Sequence, residues 1–124
     1  MAELNDIFVK TVFTAEVIAA SGVATSDMID LGTVTVDGNF GIQLALTGDG
    51  TAQVDYTASN HTEDFITPST ASAIVTGFVK TSGPGSDGKD AFAFIPILHR
   101  FMKIQVTETG TSDSITVTAY LATQ

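Results

Sequence analysis

The sequence is short of the residues from which many binding and catalytic sites are built. It contains no cysteine, so a disulfide framework and a thiolate metal site are excluded, and stability must come from packing and association. Lys and Arg together number 5 against 14 Asp and Glu, for a formal net charge of −9. Because binding to nucleic acid or to an anionic membrane surface depends on a cationic patch, we expect neither kind of partner.

Signals for export and for membrane insertion are also missing. Residues 1–10 carry Glu3 and Asp6 where a secretory signal peptide would have a basic region followed by an apolar run. No apolar stretch approaches the roughly 20 residues that a membrane helix needs. The expected site of synthesis is therefore the cytoplasm.

What the sequence does contain is alternation. A chain of 124 residues can form one hydrophobic core, so we expect a single domain. Short runs in which every second residue is apolar recur between clusters of Gly, Asp, Asn and Ser, which is the pattern of β-strands joined by turns. The predicted fold is all-β, either an antiparallel β-sandwich that is jelly-roll-like or a small β-barrel, over residues 11–124. Residues 1–10 have no partner in this pattern and are predicted to form an N-terminal arm.

Two pairs of strands carry the clearest alternation. Residues 40–47 and 52–58 flank one Gly- and Asp-containing turn, and residues 102–107 and 115–121 flank another. Each pair is predicted to form a β-hairpin. One helical turn is predicted at residues 97–101. Further strands are predicted at residues 11–18, 29–36, 74–79 and 91–95.

Residues 83–90, Gly-Pro-Gly-Ser-Asp-Gly-Lys-Asp, imitate nucleotide-binding fingerprints. They satisfy G-x-G-x-x-G and match G-x-x-x-x-G-K-[ST] up to the last position, where Asp90 replaces the hydroxyl that would meet magnesium. Both fingerprints need a helix to begin here, whereas residues 91–96 form a strand-like run closed by proline. We therefore predict a mobile, exposed loop over residues 81–90, where a partner could bind.

No set of residues has the spacing of a catalytic or metal site. His61 lies in a polar stretch and His99 beside an apolar run, and neither is accompanied by a nucleophile motif. The acids at residues 63–64, and Asp87 with Asp90, lack the spacing of a calcium-binding loop. We predict that the protein is not an enzyme and has no cofactor and no metal site.

Several segments resemble small structural proteins of tailed bacteriophage and prophage virions. They are IVTGFVKTSGPGSDGKD (74–90), FMKIQVTET (101–109) and ITVTAYLA (115–122), with DLG (30–32) and YTASN (56–60) upstream. The resemblance implies a capsid decoration protein or another accessory protein of the virion, assembled in the host cytoplasm without export. The implied partner is the major capsid protein or another virion protein.

A decoration protein stabilises a shell by bridging its neighbouring subunits, because its binding free energy is added to the assembled state. We expect a homo-oligomer, with a trimer favoured. The predicted contact regions are the N-terminal arm and the glycine-rich loop. Their candidate contact residues are Leu4, Ile7, Phe8, Pro84, Ser86, Asp87 and Lys89.

Two alternatives remain open. One is another virion component, associated with the neck, tail or fibre. The other is a carbohydrate-binding β-sandwich module, which would need an exposed platform of aromatic side chains. The phenylalanines fall on strand-like runs, and this placement favours core packing over such a platform.

Overall fold

A computed structural model of the chain describes residues 7–33, 39–69 and 72–124. No helix among these residues is long and apolar enough to cross a membrane. One 3-10 turn is present at Leu31–Thr33. The strands of the described chain are β1 (Phe8–Ile18), β2 (Val23–Thr25), β3 (Ile29–Asp30), β4 (Phe40–Thr47), β5 (Ala52–Ser59), β6 (Val75–Phe78), β7 (Lys89–Phe94), β8 (Phe101–Glu108) and β9 (Ile115–Thr123).

The strands form two antiparallel sheets. Sheet A has the order β1-β9-β4-β7, and sheet B has the order β2-β8-β5-β6, with β3 also paired to β8. The two sheets pack face to face around one core and do not close into a barrel. The predicted all-β sandwich is confirmed, and the barrel alternative is wrong.

Strand pairing is nested along the chain. β1 pairs with β9, β2 and β3 pair with β8, β4 pairs with β7, and β5 pairs with β6. The two halves of the chain therefore pair as one long hairpin, and rolling this hairpin up brings β4 beside β9 and β5 beside β8. This arrangement is a jelly roll, as the sequence pattern allowed.

Both predicted hairpins are wrong, although all four of their strands exist. β4 lies in sheet A and β5 in sheet B, and β8 and β9 are divided between the sheets in the same way. Alternation identifies the buried side of a strand but not the partner of that strand. In a rolled hairpin the consecutive strands face each other across the core, so the turns at residues 48–51 and 109–114 connect the two layers.

The core consists of the inward-facing positions of both sheets, and each of the following side chains is at most 3% exposed. These close-packed aliphatic residues provide the main stabilisation of the sandwich. From sheet A they include Ile42, Leu44, Leu46, Val117 and Leu121, and from sheet B they include Val54, Ile104 and Val106.

The remaining predicted elements are confirmed in part. β3 ends at Asp30 and is followed by the 3-10 turn, so the strand predicted at 29–36 is wrong over residues 31–33, while residues 34–36 lie outside the described chain. The helical turn predicted at 97–101 is also wrong, because backbone N–H groups in this stretch bond to side chains of β5 and of the loop after it. The predicted strands that are confirmed with shifted ends are β1, β6 and β7.

The first strand begins within the predicted N-terminal arm. Residues 8–10 pair with residues 121–123 of β9 and therefore belong to sheet A. Residues 1–6, including the candidate contact Leu4, lie outside the described residues.

Candidate functional site

The sandwich has two ends that differ in chemistry. At one end, which we call the Glu108 end, the turns at residues 19–22, 48–51 and 109–114 meet the loop at residues 79–88. At the opposite end, which we call the Leu98 end, residues 95–100 carry the chain from β7 in sheet A to β8 in sheet B.

Glu108 holds the turns of its end together. Glu108 is only 1% exposed. Oε2 accepts hydrogen bonds from the N–H groups of Thr51 (2.8 Å) and Gly110 (2.7 Å). Oε1 accepts those of Ser21 (3.0 Å) and Thr111 (2.8 Å). The bonds from Thr51 and Ser21 contribute most to lowering the pKa of Glu108 from 4.5 to about 2, against the opposing effect of burial.

Two glycines leave room for this carboxylate. A Cβ atom on Gly110 would lie 2.8 Å from Glu108 Oε2, and one on Gly50 would lie 2.9 Å from the same oxygen and 2.6 Å from the carbonyl oxygen of Asp113. The carboxylate is thus enclosed by backbone on several sides. Because its oxygens are occupied by N–H donors, we assign Glu108 to the architecture and not to chemistry on a substrate.

The loop at residues 79–88 is held by its own backbone. The N–H group of Gly88 donates to the Ser82 carbonyl (2.9 Å), and the N–H group of Ser82 donates to the Val79 carbonyl (2.9 Å). The loop predicted at residues 81–90 is wrong over residues 89–90, because β7 begins at Lys89, and no helix N-terminus follows the glycines. The candidate contacts Pro84, Ser86, Asp87 and Lys89 are all exposed.

The two histidines have separate surroundings. His61 is exposed, and its backbone N–H donates to Ser59 Oγ (2.9 Å). The His99 ring stacks on Tyr56 with centroids 5.8 Å apart. Burial lowers the pKa of His99 below 6.5, and a hydrogen bond with the carbonyl of Ile97 opposes this shift. Among the described residues, no group of three or more His, Asp or Glu side chains is placed to hold a metal ion.

Exposed apolar side chains are concentrated at the Leu98 end. Ile95 is 87% exposed, Leu98 is 97% exposed and Ile66 is 63% exposed. In the described part of the chain, the large apolar residues exposed at the Glu108 end are Val17 and Val23. An uncovered apolar surface of this kind marks an interaction site more often than a catalytic one. Further exposed residues at the Leu98 end are Ile7, Phe8, Val9, Met28 and Ile97.

The segment at residues 95–98 is anchored from beneath. The backbone N–H of Ile97 donates to the hydroxyl of Tyr56 (3.0 Å), whose ring also supports His99. The N–H of Arg100 donates to Asn60 Oδ1 (2.9 Å). These contacts fix the backbone on both sides of Leu98, so a partner would meet a preorganised surface.

Sequence reasoning found one part of this apolar end and missed the other. The predicted contacts Ile7 and Phe8 lie here, on the β1 edge of sheet A. The exposed run Ile-Pro-Ile-Leu at residues 95–98 is not among the residues that the sequence analysis singles out as contacts. Its signal is the loss of alternation at a proline, since consecutive apolar residues outside a strand cannot all face the core.

Aromatic side chains do not form a stacking platform in the described residues. The exposed aromatics are Phe8 (42%) and Tyr120 (38%). Phe8 pairs with the inward-facing Thr123, whereas Tyr120 faces outward, so the two rings lie on opposite sides of sheet A. The buried phenylalanines are Phe13, Phe40, Phe78 and Phe101.

Comparisons with known proteins give a likeness in fold. No family model matches the chain, and no curated protein matches it. The periplasmic inhibitor of g-type lysozyme PliG from Aeromonas hydrophila is similar in structure, with a TM-score of 0.50 and 13% identity over 100% of this chain and 91% of that one. The SPBc2 prophage-derived protein YomS has a TM-score of 0.47 and 14% identity, over 99% of this chain and 98% of that one. At such identity the likeness to the inhibitor concerns the fold alone, since one fold hosts unrelated functions.

Proposed function

We propose that the chain is a non-enzymatic structural protein of a tailed-phage virion, which docks on the major capsid protein as a decoration protein does. The observation that carries the proposal is the anchored apolar surface at the Leu98 end, where Ile95 and Leu98 are 87% and 97% exposed. A side chain held this far into solvent contributes nothing to the core, and its burial against a partner would stabilise a complex.

Three further features support this function. The sequence segments resemble virion structural proteins, and jelly rolls are among the folds that viral capsid proteins use. The carboxylate of Glu108, whose pKa is lowered to about 2, is occupied by backbone N–H donors. The candidate contacts Ile7 and Phe8 lie at the same end as Leu98, so they would join one docking surface.

The test uses particles from the strain that carries the gene. We expect the chain to be present in many copies in gradient-purified particles. Substitution of Leu98→Asp should lower its occupancy by about tenfold or more, because burial of a leucine side chain contributes roughly 1.5–3 kcal/mol. The matched control is Val23→Asp, which charges a 55% exposed apolar residue at the other end.

Several outcomes would contradict the proposal. One is absence of the chain from purified particles, and another is equal occupancy of the Leu98→Asp and Val23→Asp variants. Location in a tail fraction without capsids would favour the neck, tail or fibre alternative. Binding to a glycan array that is lost on mutation of Phe8 or Tyr120 would favour the carbohydrate-binding module.

A further inference from the structure

The outer face of sheet A is uncovered and almost free of charge. Residues that pair across the sheet point to the same side, so the pairing register identifies the outward positions. All of these positions are half-buried or exposed. They are Val9, Thr11 and Val17 of β1, Thr116, Thr118, Tyr120 and Ala122 of β9, Gly41, Gln43, Ala45 and Thr47 of β4, and Lys89, Ala91 and Ala93 of β7.

This face contrasts with the acidity of the whole chain. The sequence has 14 Asp and Glu residues, yet the outward positions of the described strands of sheet A include no carboxylate and one cation, Lys89. Asp90 occupies the alternate, inward-facing position beside Leu44. A second protein of the same negative charge can therefore approach this face without meeting carboxylates at its centre.

The outer face of sheet B is different. Asp55 and Lys103 both point outward there, and Phe65 from the loop after β5 lies against the Lys103 ammonium, 4.5 Å from the ring centroid. Edge pairing through β1 is also disfavoured, because the register of β1 is shifted at two places between Thr11 and Glu16. The outer face of sheet A is thus the flat surface that remains open.

Size and side-chain volume suit a pairing of two such faces. Four strands about 4.8 Å apart and about eight residues long cover on the order of 500 Å². Two copies would bury roughly 1,000 Å² in total, near the lower limit for a specific interface, so the expected affinity is modest and the association depends on concentration. The small residues Gly41, Ala45, Ala91 and Ala93 allow two sheets to approach closely.

We propose that two copies of this chain associate through the outer faces of sheet A. The arrangement differs from the trimer favoured by the sequence, because an isologous pair needs only one self-complementary surface.

The test is sedimentation equilibrium of the purified full chain over a wide range of concentration. We expect the average mass to rise from 12.9 kDa toward twice that value. Gln43→Glu, at the centre of the face, should raise the dissociation constant by about tenfold or more, since it adds a carboxylate from each copy. The matched control is Gln105→Glu on the outer face of sheet B, which should leave the mass unchanged.

A monomer at all concentrations, a trimer, or equal behaviour of Gln43→Glu and Gln105→Glu would overturn the proposal. Loss of particle binding by Gln43→Glu in a strictly monomeric chain would assign the face to a shell protein instead. The self-association of purified protein does not depend on docking to a capsid, so the two proposals can fail separately.

Discussion

At the Glu108 end, polar groups are buried and their hydrogen bonds are satisfied within the chain, whereas at the Leu98 end apolar groups are exposed and none of the described residues covers them. Four backbone N–H groups converge on Glu108. At the other end the Ile95 and Leu98 side chains are 87% and 97% exposed. The two ends therefore differ in what their unusual residues do, because Glu108 holds the fold together whereas Ile95 and Leu98 contribute little to it.

At the Glu108 end, the largest effect is expected from Glu108→Gln. The substitution keeps the side-chain shape but replaces an acceptor oxygen with an NH₂ group that faces backbone N–H donors, so buried donors lose their partners. We expect the thermal midpoint to fall by on the order of 10 °C. Calorimetry of this variant beside Glu63→Gln, which alters an exposed carboxylate, is the matched measurement.

The pH dependence should show the same contribution. Because the native pKa of Glu108 is lowered from 4.5 to about 2, its stabilising effect is present above pH 4.5 and is lost as the pH falls through about 2. Urea unfolding between these values should show a smaller slope with pH for Glu108→Gln than for the unsubstituted chain. Equal slopes, together with an unchanged midpoint, would mean that the carboxylate does not hold this end together.

Leucine occurs both in the core and at the Leu98 end, so one residue type can be compared at the two sites. Leu121 is 1% exposed in the core, and Leu98 is 97% exposed. Leu121→Ala should lower the free energy of unfolding by about 2–5 kcal/mol through lost burial and a cavity. Leu98→Ala should change it by no more than about 0.5 kcal/mol. Denaturant titration of both variants distinguishes them, and a large loss for Leu98→Ala would show that Leu98 supports the fold.

The sequence predicts the strands far better than their partners. The predicted strand at residues 40–47 coincides with β4, because the alternation of buried and exposed positions can be recognised within one short segment of the sequence. The jelly roll pairs β1 with β9 and β4 with β9, at separations that no local turn signal encodes. Pairing each strand with the next alternating strand along the chain therefore predicts two hairpins, whereas the turns at these places connect sheet A to sheet B.

The sequence reveals the Leu98 end better than the Glu108 end, because local patterns can be recognised in a sequence and long-range contacts cannot. Ser21 and Thr51 lie 87 and 57 positions from Glu108, so the residues near Glu108 in the sequence do not indicate that these two N–H groups bind its carboxylate. The apolar run at residues 95–98 is local, and its break in alternation is visible without a structure. Its anchors, Tyr56 on β5 and Asn60 in the loop after β5, depend on long-range contacts and could not be predicted.

The smallest effect is expected at His99, which underlies the apolar segment. Its Nε2 atom is enclosed and has no hydrogen-bond partner among the described residues, so a proton there would be poorly solvated. Because burial lowers the native pKa below 6.5, the stability that depends on neutral His99 is present above pH 6.5 and is lost as the pH falls through the lowered value. Thermal midpoints should therefore decline slightly with acidification in this range, well before Glu108 is protonated.

His99→Phe keeps a ring against Tyr56 and should abolish this decline of the midpoint, whereas His61→Gln, at an exposed histidine, should preserve it. If the midpoint of His99→Phe still declines over this pH range, the decline belongs to another titrating group. The Leu98 end would then have no pH dependence of its own to compare with that of the Glu108 end.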